Sequence, residues 1–340
     1  MSRLRKALHI LAVAGLAVSC ASKPLEYKDA DKIAVNPEYE KAIQVKEIKD
    51  EPQASASPQP SPSPTPVPKS AIKKKGKKEA AAAPAAPEKR QPTIEDDEGF
   101  VGRRPAVDPL RVGEKMTFMM TYFGVSAGDM TLSMKPMVEV NGRKSYHAHV
   151  RLKSSDIFSM FYSVDDSADT FIDYETLLPH SFEVNAVESK KLLAVKSVFN
   201  WDTMKAWRWE KRVSKEEGEK AKRNDWDLIP YSQNVLSAFW YLRMFKLTPG
   251  KTLQFRVADD GKNMVVKVEV VRREKLKTDL GTFDTVVVKP IVEIGGIFQP
   301  MGDVYFWMTD DDRKLYVKIE AKIKIGKIIG YLKTLEKGTH

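Results

Sequence analysis

Apolar and polar residues alternate along several stretches of this chain, and that period of two constrains its fold more than any other feature. Val317, Ile319, Ala321, Ile323 and Ile325 are separated by Lys318, Glu320, Lys322 and Lys324. Successive side chains of an extended strand point to opposite faces, so such a segment buries one face and wets the other. Met116, Phe118, Met120 and Tyr122 repeat the pattern. So do Tyr146, Ala148, Val150 and Leu152 against His147, His149 and Arg151, and Met264, Val266, Val268 and Val270 against Lys267 and Glu269.

Turn residues stand where such strands must reverse. Asn141-Gly142 and Asp260-Gly261 tolerate the positive φ of two-residue hairpins, and Gly281 marks another reversal. Hairpins between consecutive strands predict a mainly β fold: a large antiparallel sheet curled into an open barrel or a sandwich. One helix should pack against it, over residues 232–245. There Val235, Leu236, Phe239, Trp240 and Leu242 recur near helical spacing, Ser232 offers an N-cap, and Pro249-Gly250 offers a stop. A second, charged helix is expected at 213–222. The β domain should occupy residues 99–340, enough chain for a substantial core.

The N-terminus reads as an export signal over residues 1–19. Arg3, Arg5 and Lys6 precede an apolar run from Ala7 to Val18, followed by small residues and Cys20. The run is shorter than the roughly 20 residues a transmembrane helix needs. Leu16-Ala17-Val18-Ser19-Cys20 resembles the lipobox of bacterial lipoproteins, although Leu16 lies one place further from the cysteine than usual. The resemblance implies cleavage before Cys20 and lipidation of its thiol. Ala21 at the following position implies, by similarity to enterobacterial sorting, the outer membrane facing the periplasm. Cys20 is the only cysteine, which excludes an internal disulfide.

Residues 20–98 are expected to form the lipidated cysteine and a disordered tether. Residues 54–68 carry proline at nearly every second position from Pro58 onward, lysines cluster at 73–78, and an Ala/Pro run follows. Such composition lacks the apolar content that offsets ordering entropy. Residues 30–48 alone have weak helical character. The formal charge of +10 includes three positive charges in the signal, and residues 21–98 hold fourteen of each sign. The remaining excess lies in the β domain. For an exported chain it suits lipid phosphates or anionic wall polymer rather than nucleic acid.

The order of motifs within the domain resembles a known family. Gly113-Glu114-Lys115 leads to Tyr122-Phe123-Gly124 and Ala127-Gly128. The segment from Asn234 to Arg243 follows, then Leu280-Gly281-Thr282-Phe283, then Val304 to Asp311 and a closing amphipathic strand. This set is similar to the bacterial family termed domain of unknown function 3108, over about residues 110–332. The resemblance implies an envelope-associated β-rich domain and no established reaction. Members commonly carry Asp at the position of Asn234, so no carboxylate role is carried over to it.

No constellation of catalytic residues stands out. His147 and His149 share a strand face, but no third ligand completes a metal set nearby, and His180 is distant. Asp165, Asp166 and Asp169 form one acidic cluster. Asp310, Asp311 and Asp312 form another that reads as a turn, as does Gly295-Gly296. Nucleophile elbows and phosphate-cradling glycine loops are missing from the sequence. Trp201, Trp207 and Trp209 flank one expected strand pair, and Phe239, Trp240 and Tyr241 crowd the helix. Phe239, Trp240 and Trp307 are the candidate contacts for an apolar ligand inside the barrel.

The expectation is thus a noncatalytic envelope lipoprotein without catalytic, metal or cofactor residues. It would be anchored through Cys20 and would bind an apolar or amphipathic envelope molecule, an anionic wall polymer or a partner protein. The alternative is a hydrolase of wall or lipid, using carboxylates brought together by folding.

Overall fold

The computed structural model describes residues 33–48, 92–294, 297–299, 304–322 and 326–339. The signal segment, Cys20, the Pro-rich stretch, the lysine cluster at 73–78, Gly295, Gly296, Ile323 and Ile325 lie outside these residues. No helix among the described residues is long and apolar enough to cross a membrane.

Strands dominate. A meander of eight runs through β4 (Val112–Tyr122), β5 (Val125–Val140), β6 (Arg143–Ser154), β7 (Val164–Asp173), β8 (Pro179–Glu188), β9 (Lys191–Asn200), β10 (Lys205–Ser214) and β11 (Gly218–Asp227). The chain then forms β12 (Thr252–Asp259), β13 (Lys262–Thr278), β14 (Gly281–Ile294), β15 (Ile297–Gln299), β16 (Val304–Thr309), β17 (Tyr316–Lys322) and β18 (Lys327–Thr339). The last strand pairs with β4, so both halves join in one antiparallel sheet. Its edge strands are β11 and β12.

The period-two pattern explains the curl. Phe118 stands opposite Met130, Met130 opposite Leu152, and Leu132 opposite Val150, all on the face that forms the core. Burying each such side chain contributes about 1.5–3 kcal/mol, and only a curled sheet hides one whole face. Side chains join β11 to the β12–β13 hairpin: Asn263 Nδ2 donates to the Asp227 carbonyl at 2.8 Å, and Lys222 Nζ lies 3.0 Å from Asp260. The segment after β11 covers the β12 edge through a parallel bridge between Gln233 and Val257.

That segment leads into α3 (Ser237–Leu242), which lies against the concave face. Six residues are too few for an independent helix, so packing stabilises it. Trp240, Tyr241 and Leu242 are buried in the core. Its cap is Asn234 rather than Ser232. Asn234 Oδ1 accepts from the amides of Leu236 (2.9 Å) and Ser237 (2.7 Å). Nδ2 donates to Thr170 Oγ1 (2.9 Å) and the Ser181 carbonyl (3.2 Å). Ser232 instead donates to the Ile229 carbonyl.

Two expectations are corrected. Residues 213–222 are not helical but form the β10–β11 hairpin, in which Val213 pairs with both Leu192 and Glu219. Strand partners on each side override a charged segment's weak helical preference. Second, parts of the expected tether are folded. Residues 33–48 form α1 (Pro37–Ala42), capped by Asn36, and β1 (Val45–Glu47), which adds to β5. Tyr39 and Ile43 bury against Val138, Val140, Phe171 and Val198 on the convex face. Residues 92–98 are fixed through buried Glu95, which accepts from Arg103 (3.2 Å) and Tyr241 (2.6 Å). The short strands β2 (Phe100–Val101) and β3 (Arg104–Pro105) follow.

Candidate functional site

The strand directions give the barrel two chemically different rims. One carries Asn141-Gly142 and the turns after β7 and β9, with Glu175, Thr176, Asp202 and Thr203. The other carries the turns after β4, β6, β8 and β10; we call it the upper rim.

The β4–β5 turn has the same backbone form as the Asn-Gly and Asp-Gly hairpins. Phe123 and Gly124 have φ of 49° and 78°, against 50° and 80° at Asn141 and Gly142. A bulky residue in the left-handed region costs about 1–2 kcal/mol, so Phe123 is an unfavourable choice for this turn. Its ring packs edge-on against Tyr122 at 4.5 Å. An added Cβ at Gly326 would approach that ring to 2.9 Å, so the glycine makes room for it.

The adjoining β6–β7 connection holds α2 (Asp156–Ser159), capped by Ser155, whose Oγ accepts from the Phe158 amide at 3.3 Å. The Ser155 amide donates to the Ala127 carbonyl at 2.9 Å and ties this connection to β5. Phe123, Val125, Ile157, Met160 and Phe161 project from these two loops, all between 63% and 69% exposed. Exposed large apolar side chains grouped at one end of a fold are the kind of surface that interaction sites use.

Behind this rim the inner wall changes character. On β4, β5 and β6 it presents Met120, Met130 and Leu152. On β7 and β8 it presents the carboxylates of Asp166 and Glu188, both buried. The Tyr162 hydroxyl donates to Glu188, Lys191 Nζ sits 2.7 Å from the same carboxylate, and the Val187 amide donates to Asp166 at 3.1 Å. Burial, and then the neighbouring charge of Glu188, push the Asp166 carboxyl up to about 7.

Charge continues along the inner face of β10. Arg212 is in register with Leu193, which packs against the core, and with Lys220. Arg208 bonds Asp259 and Glu210, each at 3.1 Å. The Nε atoms of Arg208 and Arg212 lack a hydrogen-bond partner among the described residues. The upper end of the barrel is therefore amphipathic, with methionine and leucine on one wall and paired charges on the other.

The candidate ligand contacts do not converge. Phe239 packs on Phe306 and Tyr316, at 5.5 and 5.9 Å between ring centroids, and Trp240 lies in the same core. Trp307 points to the convex face, where its Nε1 donates to Glu274 and Lys318 covers the ring at 4.1 Å. Successive residues of β16 face opposite ways, so Phe306 and Trp307 cannot share a site.

The histidines are also convex. His147 Nε2 and His149 Nδ1 meet the same Asp169 oxygen at 2.7 and 2.9 Å, with Lys135 at 3.7 Å. Burial opposes ionisation of Asp169, but the hydrogen bonds of both histidines hold it well below the usual carboxylate range. His180 Nε2 lies 3.6 Å from Asp173. Among the described residues, no group of three or more His, Cys, Asp or Glu side chains is arranged to hold a metal ion.

The first acidic cluster is split by the strand. Asp165 and Asp169 face out, Asp165 bonded to Arg151, whereas Asp166 faces in. In the second cluster Asp311 accepts from the Arg313 and Lys314 amides and closes a turn. Sequence reasoning missed the pairing of Asp166 with Glu188 and the exposed rim. The rim had a signal: Phe-Gly where a hairpin calls for Asn-Gly, and an apolar run, Ile157-Phe158-Ser159-Met160-Phe161, inside a turn.

Taken together, these features define an open, barrel-like antiparallel β domain with a short helix against its concave face and an apolar rim at one end. The chain belongs to the family described as "Protein of unknown function (DUF3108)", whose model matches residues 117–333. Three solved structures are similar at low identity. A β-barrel-like protein of the domain of unknown function DUF1849 from Brucella abortus is 12% identical, covering 67% of this chain and 98% of its own, at a TM-score of 0.43. A Bacteroides fragilis protein described as exported, with a YmcC-like fold, is 8% identical, covering 68% and 98%, at 0.30. A Parabacteroides distasonis protein described as a lipoprotein is 10% identical, covering 68% and 99%, at 0.27. No curated protein gives a significant match.

Proposed function

We propose that this protein is a lipid-anchored envelope protein, held at the outer membrane through Cys20, whose β domain is a noncatalytic binding module. It takes an amphipathic envelope molecule at the upper rim. The observation that carries this reading is the change of wall behind the rim, from Met120, Met130 and Leu152 to Glu188, Lys191, Glu210 and Arg212. Methionine side chains adapt to irregular apolar partners, and Arg212 and Lys191 can meet an anionic head group. The basic start, apolar run and Cys20 support the location.

Mass spectrometry of the gently purified full chain tests the reading, together with titration by a fluorescent fatty acid. A co-purifying lipid is expected, with fatty-acid binding weakened by Leu152→Arg or Arg212→Glu. The absence of both a lipid and saturable binding would exclude it and leave a partner protein as the ligand. A second reading, a carboxylate-dependent hydrolase, is favoured by Asp166, whose carboxyl titrates near 7 beside Glu188. Lipid or wall-polymer hydrolysis abolished by Asp166→Asn would support the enzyme over the binding module.

A further inference from the structure

We infer that the upper rim seats directly on a lipid bilayer, the one that holds the chain's own anchor. The choice of end rests on the binding reading above. The docking itself does not require a ligand to enter the barrel.

The first argument is shape. Phe123, Val125, Ile157, Met160 and Phe161 project from two loops joined by the Ser155–Ala127 hydrogen bond. They are protruding tips, not the walls of a groove, and so suit insertion into the headgroup and acyl boundary. Lys153, Lys190 and Lys215 are exposed at the same rim, among Asp156, Glu216 and Glu217, and can meet phosphate head groups.

The second argument is the length of the leading chain. Only fifteen residues, 21–35, lie between Cys20 and Asn36, the cap of docked α1. Fully extended at about 3.3–3.6 Å per residue, they reach no further than ~55 Å. The helix sits on the convex face, where Tyr39 donates to Glu183 on β8 and meets Trp207 on β10 edge-on at 6.4 Å. The segment docks toward the opposite rim, β1 pairing with Val138–Val140 beside Asn141, but a ten-residue strand is about 33 Å long, so the upper rim is still within that span. A lipid on Cys20 thus keeps the rim at high effective concentration beside the membrane, where weak insertion suffices.

The test uses the acylated full chain in vesicles of phosphatidylethanolamine and phosphatidylglycerol. Lipidation blocks the only native thiol, so a single introduced cysteine carries the environment-sensitive fluorophore. Phe161→Cys or Ile157→Cys should be quenched by brominated lipid about fivefold more than Asp202→Cys, because an inserted tip lies roughly 5–10 Å into the interface. Adding Phe123→Ser should reduce the quenching at Phe161→Cys. Equal quenching at both rims, or none at either, overturns the inference, as does burial of the probe by self-association in the absence of vesicles. If lipid co-purifies while the Phe161→Cys probe stays in water, docking fails and the binding reading stands. If the probe inserts while no lipid co-purifies, docking stands and the binding reading fails.

Discussion

Glu114 and Arg243 form an ion pair buried at 0% side-chain exposure on both partners, and replacing Glu114 with Gln tests what holds the lower part of the barrel together. Arg243 follows α3, and its Nη1 and Nη2 both donate to Glu114 at the start of β4. Its remaining contacts are the carbonyls of Arg313 and Pro109, each at 3.0 Å. Arg313 reaches the same carboxylate and the Lys337 carbonyl of β18. One carboxylate therefore joins the helix, β4, the β16–β17 turn and the last strand. Gln keeps the shape but removes the charge and turns an amide donor toward a guanidinium that only donates. Breaking a buried pair this way costs about 3–5 kcal/mol, because the remaining charge is stranded. With a urea slope near 3 kcal/mol/M for a domain this large, the unfolding midpoint should fall by about 1–1.7 M. Equilibrium urea unfolding followed by tryptophan fluorescence measures it. A fall below about 0.3 M would refute the clamp, since it would equate the loss with an ordinary surface substitution.

Three further outcomes are expected. Because Asp166 titrates near 7 when folded, its contribution is fully present below about pH 4 and is lost as pH rises through 7. At 1.36 kcal/mol per unit this amounts to at most about 4 kcal/mol, and Asp166→Asn should flatten the fall in urea midpoint between pH 5 and 8. Tyr39→Ala removes the anchor of α1 at a cost of about 3–5 kcal/mol. Hydrogen exchange should then show Val45–Glu47 unprotected while β6–β9 keep their protection. Asn234→Asp deletes two buried donors, to Thr170 and Ser181, and should lower stability by about 1–3 kcal/mol per unsatisfied partner in a thermal melt.

The strands and their turns were legible because their information is local. Alternation fixes which face each residue takes, and Asn141-Gly142 and Asp260-Gly261 both adopt the positive φ their composition demands. The fold class followed from those two facts. A helix does form within 232–245, but it covers only Ser237–Leu242 and its cap differs: Asn234 outcompetes Ser232 because it also bonds Thr170 and Ser181, contacts made only by folding. The site was less legible for the same reason. Asp166 and Glu188 become diagonal neighbours through the β7–β8 register, which sets them opposite Ala186 and Val164, and Phe306 and Trp307 separate because neighbours in a strand face apart. Aromatic content suggested a ligand site, but it could not distinguish rings buried in the core from Trp307 on the convex face. The rim was written in the sequence as a violation, a phenylalanine in a turn that favours asparagine. Such local conflict is expected where function opposes stability.

The docked segment 33–48 also changes what the Pro-rich stretch can do. A tether running from Cys20 to residue 98 would set the distance between membrane and domain. In the anchored protein proposed above, with α1 and β1 fixed on the convex face, that distance is set by the fifteen residues 21–35 alone. Residues 49–91 instead leave the domain after Ile48 and return at Pro92, an excursion closed at both ends. Lengthening that excursion therefore cannot lift the domain from the bilayer, whereas lengthening residues 21–35 can. The two insertions separate spacing from presentation: only the second should weaken insertion of the rim.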